Sequence, residues 1–417
     1  MGRPKARLFC LAITAALVTA GLSACSAEPK SGSSGDGETI RVLSSGLISD
    51  SLLQKFKDKT GISVKWEHIS GSEWAQVLQT RVAGKTDIDV LNVQSGAEFN
   101  KYAKAGTFAD LSGEKFLDNI TDVGLKPGII EGKNFGYARN LYGIGVFYNT
   151  DLFTKLGIHV PANWDEFMAA AAKIKADGTP PIVVSPAESW TNQYFYHNAI
   201  AEFADSHPDF MAQLHTGEST WKDNDLFTTQ IKRVEDLAKA GYFMPGSQSL
   251  KFEDARIAFT SGKAAMWLMG SWALQAPFNP AGFTPGAFPL PINAAGEPAA
   301  RGSSLADSMI AVTSWTKKQD AAKKFLDFLS QKETVAQDAK EQSIVSSVKG
   351  ATGDFSPYQK DWNALIDAGV PFPDDICPGV NAEGPNLLGQ IMAGTSGASQ
   401  VIDQFQKIQD NDSKVGY

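Results

Sequence analysis

The sequence predicts an α/β protein with two domains, and three observations point to this fold class. Strand-like and helix-like segments alternate between residues 39 and 93, which is typical of a parallel sheet covered by helices. Residues 264–269 form an uninterrupted apolar run between two glycines, as expected for an inner strand of such a sheet. A chain of 417 residues, 43% of them hydrophobic, has enough apolar material for two cores of ordinary size.

The first 24 residues have the pattern of an export signal. Basic residues at positions 3–7 precede an apolar segment over residues 8–22, and the sequence Leu-Ser-Ala-Cys that ends at Cys25 matches a bacterial lipobox. Cleavage before Cys25 would leave its sulfur to carry a diacylglycerol, which predicts anchoring to the outer side of the cell membrane. A plain signal peptide and an uncleaved anchor are the alternatives. Residues 25–38, rich in serine and glycine, predict a flexible tether.

Cysteine content and charge exclude several classes of protein. Cys10 lies in the signal and Cys25 at the lipid site, so Cys377 is the one free thiol of the mature chain and no intrachain disulfide is expected. The net charge of −8 becomes −11 without the three basic residues of the signal, since −8 − 3 = −11, which argues against a nucleic acid partner. The histidines lack metal-ligand spacing and no G-x-S-x-G elbow is present, so no metal or other cofactor is expected.

The first third of the chain predicts one β-α-β-α-β unit. Its strands are expected over residues 39–43, 62–69 and 89–93, with helices over 47–59 and about 72–83. Right-handed parallel connections place the loops after the strands at one edge of the sheet. These loops carry polar groups that can bond ligand hydroxyls, on Ser45, Gln94, Ser95 and Glu98. Ordinary turn and cap chemistry is the alternative role for each of them.

An aromatic residue follows the apolar strand at residues 264–269. Gly270 and Ser271 permit a tight turn, and Trp272 then lies just past the carboxyl end of the strand. Open α/β sheets bind their ligands at this end. An indole there can serve as a flat platform for a pyranose ring. The alternative is that Trp272 is an ordinary core residue.

The rest of the chain predicts further helices and one more strand. The elements are helices over residues 164–175 with Asn163 as N-cap, 225–240, 253–260 and 319–330 with Ser314 or Thr316 as N-cap, and a strand at 181–184. The proline-rich residues 277–298 predict irregular structure. Asn386 is expected to precede a short apolar helix.

Several of these segments resemble one known family. GKAAMWLMGSW at Gly262 resembles the most recognisable segment of the extracellular solute-binding proteins of ATP-driven sugar importers, the group that includes maltose-binding protein. Further segments, which begin at Asp89, Gly145, Asn163, Gly241 and Ser304, match in the same chain order. The resemblance implies a two-lobed periplasmic-binding-protein type II fold, each lobe a mainly parallel sheet flanked by helices, joined by a three-segment hinge. It implies one lobe from residues 39–146 and 302–348, and the other from 147–301 and 349–417.

The resemblance also implies where the chain crosses between lobes and which side chains face the ligand. Residues 137–150 correspond to the first crossover, with Gly143 and Gly145 at its bend, residues 301–304 to the second, and residues 345–350 to the third. Besides Trp272 and the segment 94–98, the implied ligand-facing residues are Asn140, Tyr142, Glu188, Trp190, Ser303 and Asn386. For Trp190, packing beneath the following helix with Tyr194 and Tyr196 is the alternative.

The function implied by the resemblance is capture of a neutral mono- or oligosaccharide and its delivery to a membrane permease by a monomeric, non-enzymatic lipoprotein. Stacking on Trp190 and Trp272 would supply much of the affinity. A cell-surface glycoside hydrolase is one alternative, because Glu98 and Glu188 could form a carboxylate pair. A two-lobed binder of a non-sugar ligand, or an adhesin, is another, although a cationic ligand would need an aromatic box.

Overall fold

A mixed sheet of ten strands runs through the part of the chain that the structure describes. The computed structural model describes residues 38–69, 73–274, 282–342, 344–351, 359–373 and 376–415. The predicted lipid site at Cys25 lies outside the described residues. The strands, of which β4 and β5 form a separate hairpin, are β1 (Thr39–Ser44), β2 (Ser63–His68), β3 (Val90–Val93), β4 (Ile129–Ile130), β5 (Lys133–Asn134), β6 (Tyr137–Asn149), β7 (Ile182–Val183), β8 (Met266–Gly270), β9 (Pro285–Phe288), β10 (Ser303–Val312), β11 (Val345–Ser346) and β12 (Val370–Pro371).

Helices connect the strands. They are α1 (Asp50–Thr60), α2 (Trp74–Ala83), α3 (Ala97–Lys104), α4 (Asp122–Leu125), α5 (Thr150–Leu156), α6 (Trp164–Ala176), α7 (Tyr194–Ser206), α8 (Phe210–Thr216), α9 (Asp225–Lys239), α10 (Phe252–Thr260), α11 (Gln319–Leu329), α12 (Lys332–Gln342), α13 (Gln359–Ala368), α14 (Pro378–Met392) and α15 (Ala398–Val415). Within the described ranges, none of these helices combines the length and the apolar character that a membrane crossing requires.

The first three strands confirm the predicted parallel β-α-β-α-β unit. β1 pairs in parallel with β2 from Thr39 opposite Ser63, and with β3 from Val42 opposite Val90. Val42 and the next residue, Leu43, are both buried, but they belong to two different hydrophobic clusters. Successive side chains of a strand point to opposite faces, so both faces of this sheet are covered.

Two long antiparallel strands carry the sheet from one half of the molecule to the other. β10 pairs with β6 from Ser303 opposite Ile144 to Ile310 opposite Tyr137, and its C-terminal part also pairs with β3. β6 continues past Ile144 to pair with β8 and β9. β6 therefore belongs to both halves of the sheet, and the first two residues of β10 also pair with β12.

Each half of the sheet has its own hydrophobic core. The first half packs around Phe56 and Phe325 on one face and around Trp74 and Phe99 on the other. The second half packs around one large cluster that contains Trp267. The two-lobed α/β fold that the sequence predicts is thus present, with β6 and β10 as two of the crossing segments. After β11, the chain passes through residues 352–358, outside the described residues.

The two glycines of β6 have a different role from the predicted one. β6 is a continuous strand of 13 residues, and neither Gly143 nor Gly145 has a positive φ. A methyl carbon at Gly145 would stand 2.8 Å from Cδ1 of Leu365 on α13 and 2.9 Å from the carbonyl oxygen of Phe288 on β9. Because Gly145 has no side chain, α13 and β9 can pack closely against β6 at this point. The glycine does not bend the strand.

Some local predictions hold and others do not. The Asn163 side chain caps α6 by accepting the Glu166 N–H at 3.0 Å, as predicted. Neither Ser314 nor Thr316 is the N-cap of α11, which is Lys318. Thr316 lies two residues before this N-cap, and its hydroxyl accepts the Lys318 N–H at 3.0 Å and donates to Asp89. The segment 277–298 is not wholly irregular, since it contains β9, and Asn386 lies inside α14 rather than before a helix.

Candidate functional site

The candidate site lies where β10 passes the carboxyl end of β3. β3 ends at Val93, which is opposite Met309 in β10. Beyond that pair, the loop after β3 lies beside Asp307, and the Ser95 N–H donates to Oδ1 of Asp307 at 2.9 Å. The predicted loop after the third strand therefore does meet a crossover strand.

Three polar side chains share one face of the crossing strands. Asp307 is opposite Asn140 in the antiparallel register, and Leu305 is opposite Tyr142. Opposite residues of such a pair lie on the same face, as do residues two apart in a strand. Asn140, Tyr142 and Asp307 are therefore neighbours on one face, and Nδ2 of Asn140 donates to the Tyr142 hydroxyl at 2.9 Å.

Four aromatic rings form a continuous row that starts at this face. Ring centroids are 5.2 Å apart between Tyr142 and Trp272, 5.6 Å between Trp272 and Tyr194, and 6.3 Å between Tyr194 and Trp190. Each pair is edge-to-face, the arrangement that ring quadrupoles favour. The tyrosines of this aromatic row are buried, and both indoles are half-buried. The indoles thus retain exposed surface for a ligand.

The turn after β8 places the first indole of the aromatic row. Trp272 lies in a short 3-10 turn, Ser271–Leu274, directly after the strand end at Gly270. A methyl carbon at Gly270 would stand 2.0 Å from Cζ3 of the Trp272 ring. Glycine at this position is therefore what allows the indole to fold back over the end of its own strand.

Two carboxyl groups, those of Asp307 and Glu98, lie at the site. Burial raises the pKa of Asp307, and the N–H groups of Ser95 and Ser308 oppose part of that rise. Burial also raises the pKa of Glu98, against the hydrogen bonds from the Trp74 indole and the Gln94 N–H. Groups of this kind accept hydrogen bonds from hydroxyls or amines and repel anions.

Comparison with known proteins gives the family. A family model described as "Bacterial extracellular solute-binding protein" matches residues 45–336. The chain belongs to this family. It is 26% identical over 318 residues to the multiple sugar-binding protein of Streptococcus mutans, covering 74% of this chain and 75% of that protein. It is 26% identical over 376 residues to the diacetylchitobiose-binding protein DasA of Streptomyces coelicolor, covering 80% of this chain and 83% of that protein.

A solved structure confirms the fold of this solute-binding protein. The raffinose complex of the solute-binding protein RafE superimposes with a TM-score of 0.75, covering 90% of this chain and 99% of that chain. The two sequences are 21% identical, so the likeness concerns the backbone architecture. It is the two-lobed architecture that the sequence predicts.

The structure brings six of the predicted site residues to one region of the solute-binding protein. Both Glu98 oxygens accept from the Trp74 indole, at 3.0 and 3.1 Å, and Oε2 also accepts the Gln94 N–H at 3.1 Å. Trp74 is buried. The set around Asp307 and the aromatic row comprises Ser95, Glu98, Asn140, Tyr142, Trp190 and Trp272. Gln94 is exposed at the edge of this set.

Ser45 and Glu188 bond to backbone groups near the site. The Ser45 N–H donates to the Asn92 carbonyl at 3.1 Å. Oε2 of Glu188 accepts the N–H of Phe252, the first residue of α10, at 3.1 Å. The Phe252 ring lies 5.2 Å from Trp190, so Glu188 is at the Trp190 end of the aromatic row. Contact of either residue with a ligand stays a prediction.

Ser303 and Asn386 have other surroundings. Ser303 is fully buried in β10 between Ile144 of β6 and Val370 of β12, and its hydroxyl has no hydrogen-bond partner within the described residues. Asn386 is exposed on α14 and donates to Glu383 of the same helix at 3.4 Å. Among the residues that the structure describes, neither side chain is linked to the aromatic row, and their part in binding also stays a prediction.

The sequence analysis missed three residues of the site. Asp307 is the one charged residue of β10, and that was the available signal. Tyr194 was considered only as a packing partner of Trp190, but it joins both indoles into one row. Asn92, fully buried in β3, had no signal, because its partners come from β1 and β10. No group of described residues has three or more potential metal ligands close together.

Proposed function

We propose that this solute-binding protein captures a neutral mono- or oligosaccharide between its lobes. The observation that carries the proposal is the aromatic row, with its two half-buried indoles, beside the hydrogen-bonding groups of Asp307 and Asn140. A pyranose ring has an apolar face that stacks on an indole and a rim of hydroxyls that bonds polar groups. The names of the two sugar-binding relatives support the same ligand class.

The proposed mechanism is closure of two hinged lobes on the sugar. One lobe consists of residues 39–146 and 302–348, and the other of 147–301 and 349–417. Ligand contacts on both sides of the crossing strands favour the closed state by their differential affinity for it. The closed form then delivers its sugar to the transmembrane subunits of an ABC permease, with no chemical change to the ligand.

The proposal includes a lipid anchor on Cys25 and a monomeric body outside the cytoplasm. The lipobox that ends at Cys25 supports the anchor. Expression of the full chain and of Cys25→Ala in a bacterial host tests it. Mass spectrometry of the membrane fraction should find the lipid only on the unchanged chain, and an unmodified Cys25 in a cleaved chain would refute the anchor.

Isothermal titration calorimetry tests the binding function. The probes are raffinose, diacetylchitobiose, galactose and maltotriose, with glucuronate, spermidine and glutamine as non-neutral or non-sugar probes. At least one neutral sugar should bind, and Trp272→Ala should lose about 2 kcal/mol or more of its binding free energy, a factor of roughly 30 in Kd. Trp315→Ala, which removes a half-buried indole of the first lobe, is the matched control. Equal affinity of Trp272→Ala and the control would refute the assigned role of the indole.

The same titrations separate the proposal from its alternatives. A hydrolase would release shortened sugars during the titration, and chromatography of the mixture detects them. The carboxylates of Glu98 and Glu188 are already bonded to the Trp74 indole and to the Phe252 N–H, which supports a binding role over a catalytic pair. Binding of spermidine or glutamine without binding of any sugar would favour a non-sugar binder.

A further inference from the structure

One residue of the crossing strand β10 has an unusual backbone conformation. Ser308 has a φ of 58°, in the left-handed region that non-glycine residues rarely occupy. Two other described non-glycine residues, Lys85 and Glu131, also have positive φ, but both are exposed in turns. Ser308 is buried inside a strand, immediately after Asp307. Strained residues of this kind persist only where their surroundings hold them, and they cluster at functional sites.

A buried amide holds Ser308 in this conformation. Nδ2 of Asn92 donates to the Ser308 carbonyl at 2.7 Å and to the Met309 carbonyl at 3.2 Å. A further hydrogen bond fixes the orientation of the Asn92 amide, because its Oδ1 accepts a hydrogen bond from the Ser44 hydroxyl at 2.8 Å. Asn92 and Ser44 are both fully buried. The conformation of β10 is therefore set by side chains of β1 and β3.

The left-handed residue lies next to Asp307 and donates its own N–H to that carboxylate. The ladder between β10 and β6 is interrupted at Ser308, and Asp307 resumes it opposite Asn140. In this position the carboxylate accepts N–H groups of Ser95 and Ser308. Asp307 thus contacts the loop after β3 and lies beside Asn140 of the crossing strand β6.

We propose that Asp307 is the specificity-determining acceptor of the site, and that Asn92 positions it by holding Ser308 in the left-handed conformation. This inference rests on the proposed function. A carboxylate beside the aromatic row accepts hydrogen bonds from adjacent hydroxyls, or from an amine, of a stacked sugar. It excludes sugars with a carboxylate or phosphate at that position, because like charges repel at close range.

The first test concerns Asp307. Calorimetry with raffinose, diacetylchitobiose, galactose and maltotriose identifies the sugar that the unchanged protein binds best. Asp307→Asn should bind that sugar at least about tenfold more weakly, because bonds to a charged acceptor are replaced by weaker ones. Its discrimination against the corresponding uronic acid should fall. If the unchanged protein binds none of these sugars, the proposed function is refuted and the inference with it. If it binds one and Asp307→Asn binds equally well, only the inference is refuted.

The second test concerns Asn92. It asks whether glycine at position 308 can make the hydrogen bonds from the Asn92 amide unnecessary. Asn92→Leu keeps the volume of the side chain but removes the amide, and it should weaken binding of the same sugar about tenfold. Glycine adopts a positive φ without assistance, so Asn92→Leu combined with Ser308→Gly should recover most of the lost affinity. If Asn92→Leu does not fold, Asn92→Ser replaces it in the same measurement, because serine retains a hydroxyl toward Ser44.

Circular dichroism and melting temperature accompany each titration, and Lys85→Gly is the matched control. Lys85 also has a positive φ, but it lies in an exposed turn, so glycine there should change stability and leave the affinity of the protein unaltered. Folded Asn92 variants with unchanged affinity would refute the positioning role. So would a loss of affinity that Ser308→Gly does not restore, since that loss would reflect general disruption of the core.

Discussion

His197 is predicted to make the folded protein sensitive to acid. It is only 4% exposed in α7, and its ring stacks on Phe372 with centroids 3.7 Å apart and an interplanar angle of 10°. Tyr194 and Tyr196 pack against the same ring, and within the described residues neither ring nitrogen has a hydrogen-bond partner. Burial therefore lowers the pKa of His197 from 6.5 to about 3.

The size of the effect follows from the difference between the two pKa values. An unfolded chain takes up a proton at this side chain near pH 6.5, whereas the folded chain resists protonation down to about pH 3. The contribution of the neutral His197 side chain to the free energy of unfolding is fully present above pH 6.5 and is lost progressively as the pH falls toward 3. Two pH units below the unfolded pKa, the loss is about 2.7 kcal/mol, since each unit corresponds to about 1.36 kcal/mol.

Urea unfolding at about pH 7 and about pH 4.5 measures this loss. His197→Phe keeps a stacked ring but cannot take up a proton, so its free energy of unfolding should fall by about 2.7 kcal/mol less than that of the unchanged protein over this interval. His159→Gln, at an exposed position, should follow the unchanged protein. The comparison removes the opposite contributions of Glu98 and Asp307, whose raised pKa values favour the folded state as the pH falls.

Equal pH dependence in the unchanged protein and His197→Phe would refute this reasoning. It would mean that the folded protein accommodates the protonated ring, for example by local opening between α7 and Phe372. A steeper dependence in the phenylalanine variant would contradict the sign of the effect as well as its size.

Two further predictions concern packing and charge. Gly145→Ala should lower the free energy of unfolding by about 1–3 kcal/mol because its methyl carbon would stand 2.8 Å from Cδ1 of Leu365, and Gly282→Ala, in open space, is the control for the same urea measurement. Equal losses of stability in Gly145→Ala and Gly282→Ala would show that the contact with Leu365 is not the cause. Asp338→Leu should cost about 3–5 kcal/mol, since it leaves the buried guanidinium of Arg139 without the carboxylate 3.3 Å away. Arg139→Met combined with Asp338→Leu should cost less, and an equally unstable double variant would contradict the explanation.

Sequence patterns predicted what depends on neighbours along the chain. The parallel unit of the first three strands and the cap at Asn163 depend on contacts within a few residues or on the hydrophobic pattern of short segments. The expected cap at Thr316 failed because α11 begins only at Gln319, and the Thr316 hydroxyl accepts the Lys318 N–H and donates to Asp89, 227 residues earlier in the chain. A local motif cannot show that a distant acceptor will compete for the same group.

The candidate site likewise contains residues that the local sequence predicts and residues that it does not. Trp272 was predicted because a buried strand, a glycine and an exposed aromatic are adjacent in the sequence. Asp307 was not, because its importance comes from the register with Asn140 and from the Ser95 N–H, which only the folded sheet brings together. The position of Ser308 depends on an amide of β3, more than 200 residues earlier. Register and backbone strain are properties of the assembled sheet, and hydrophobic pattern does not encode them directly.

The late arrival of β10 in the chain has a consequence for synthesis and export. β10 covers the edge of β3 through the pairs from Val93–Met309 to Val90–Val312, although about 200 residues separate the two strands. Until residue 312 is available, the nascent parallel sheet has an open edge with unpaired N–H and carbonyl groups, which invites pairing with another chain. A fragment that stops before residue 303 should therefore aggregate, and a full-length chain should need protection by chaperones until β10 has been translated.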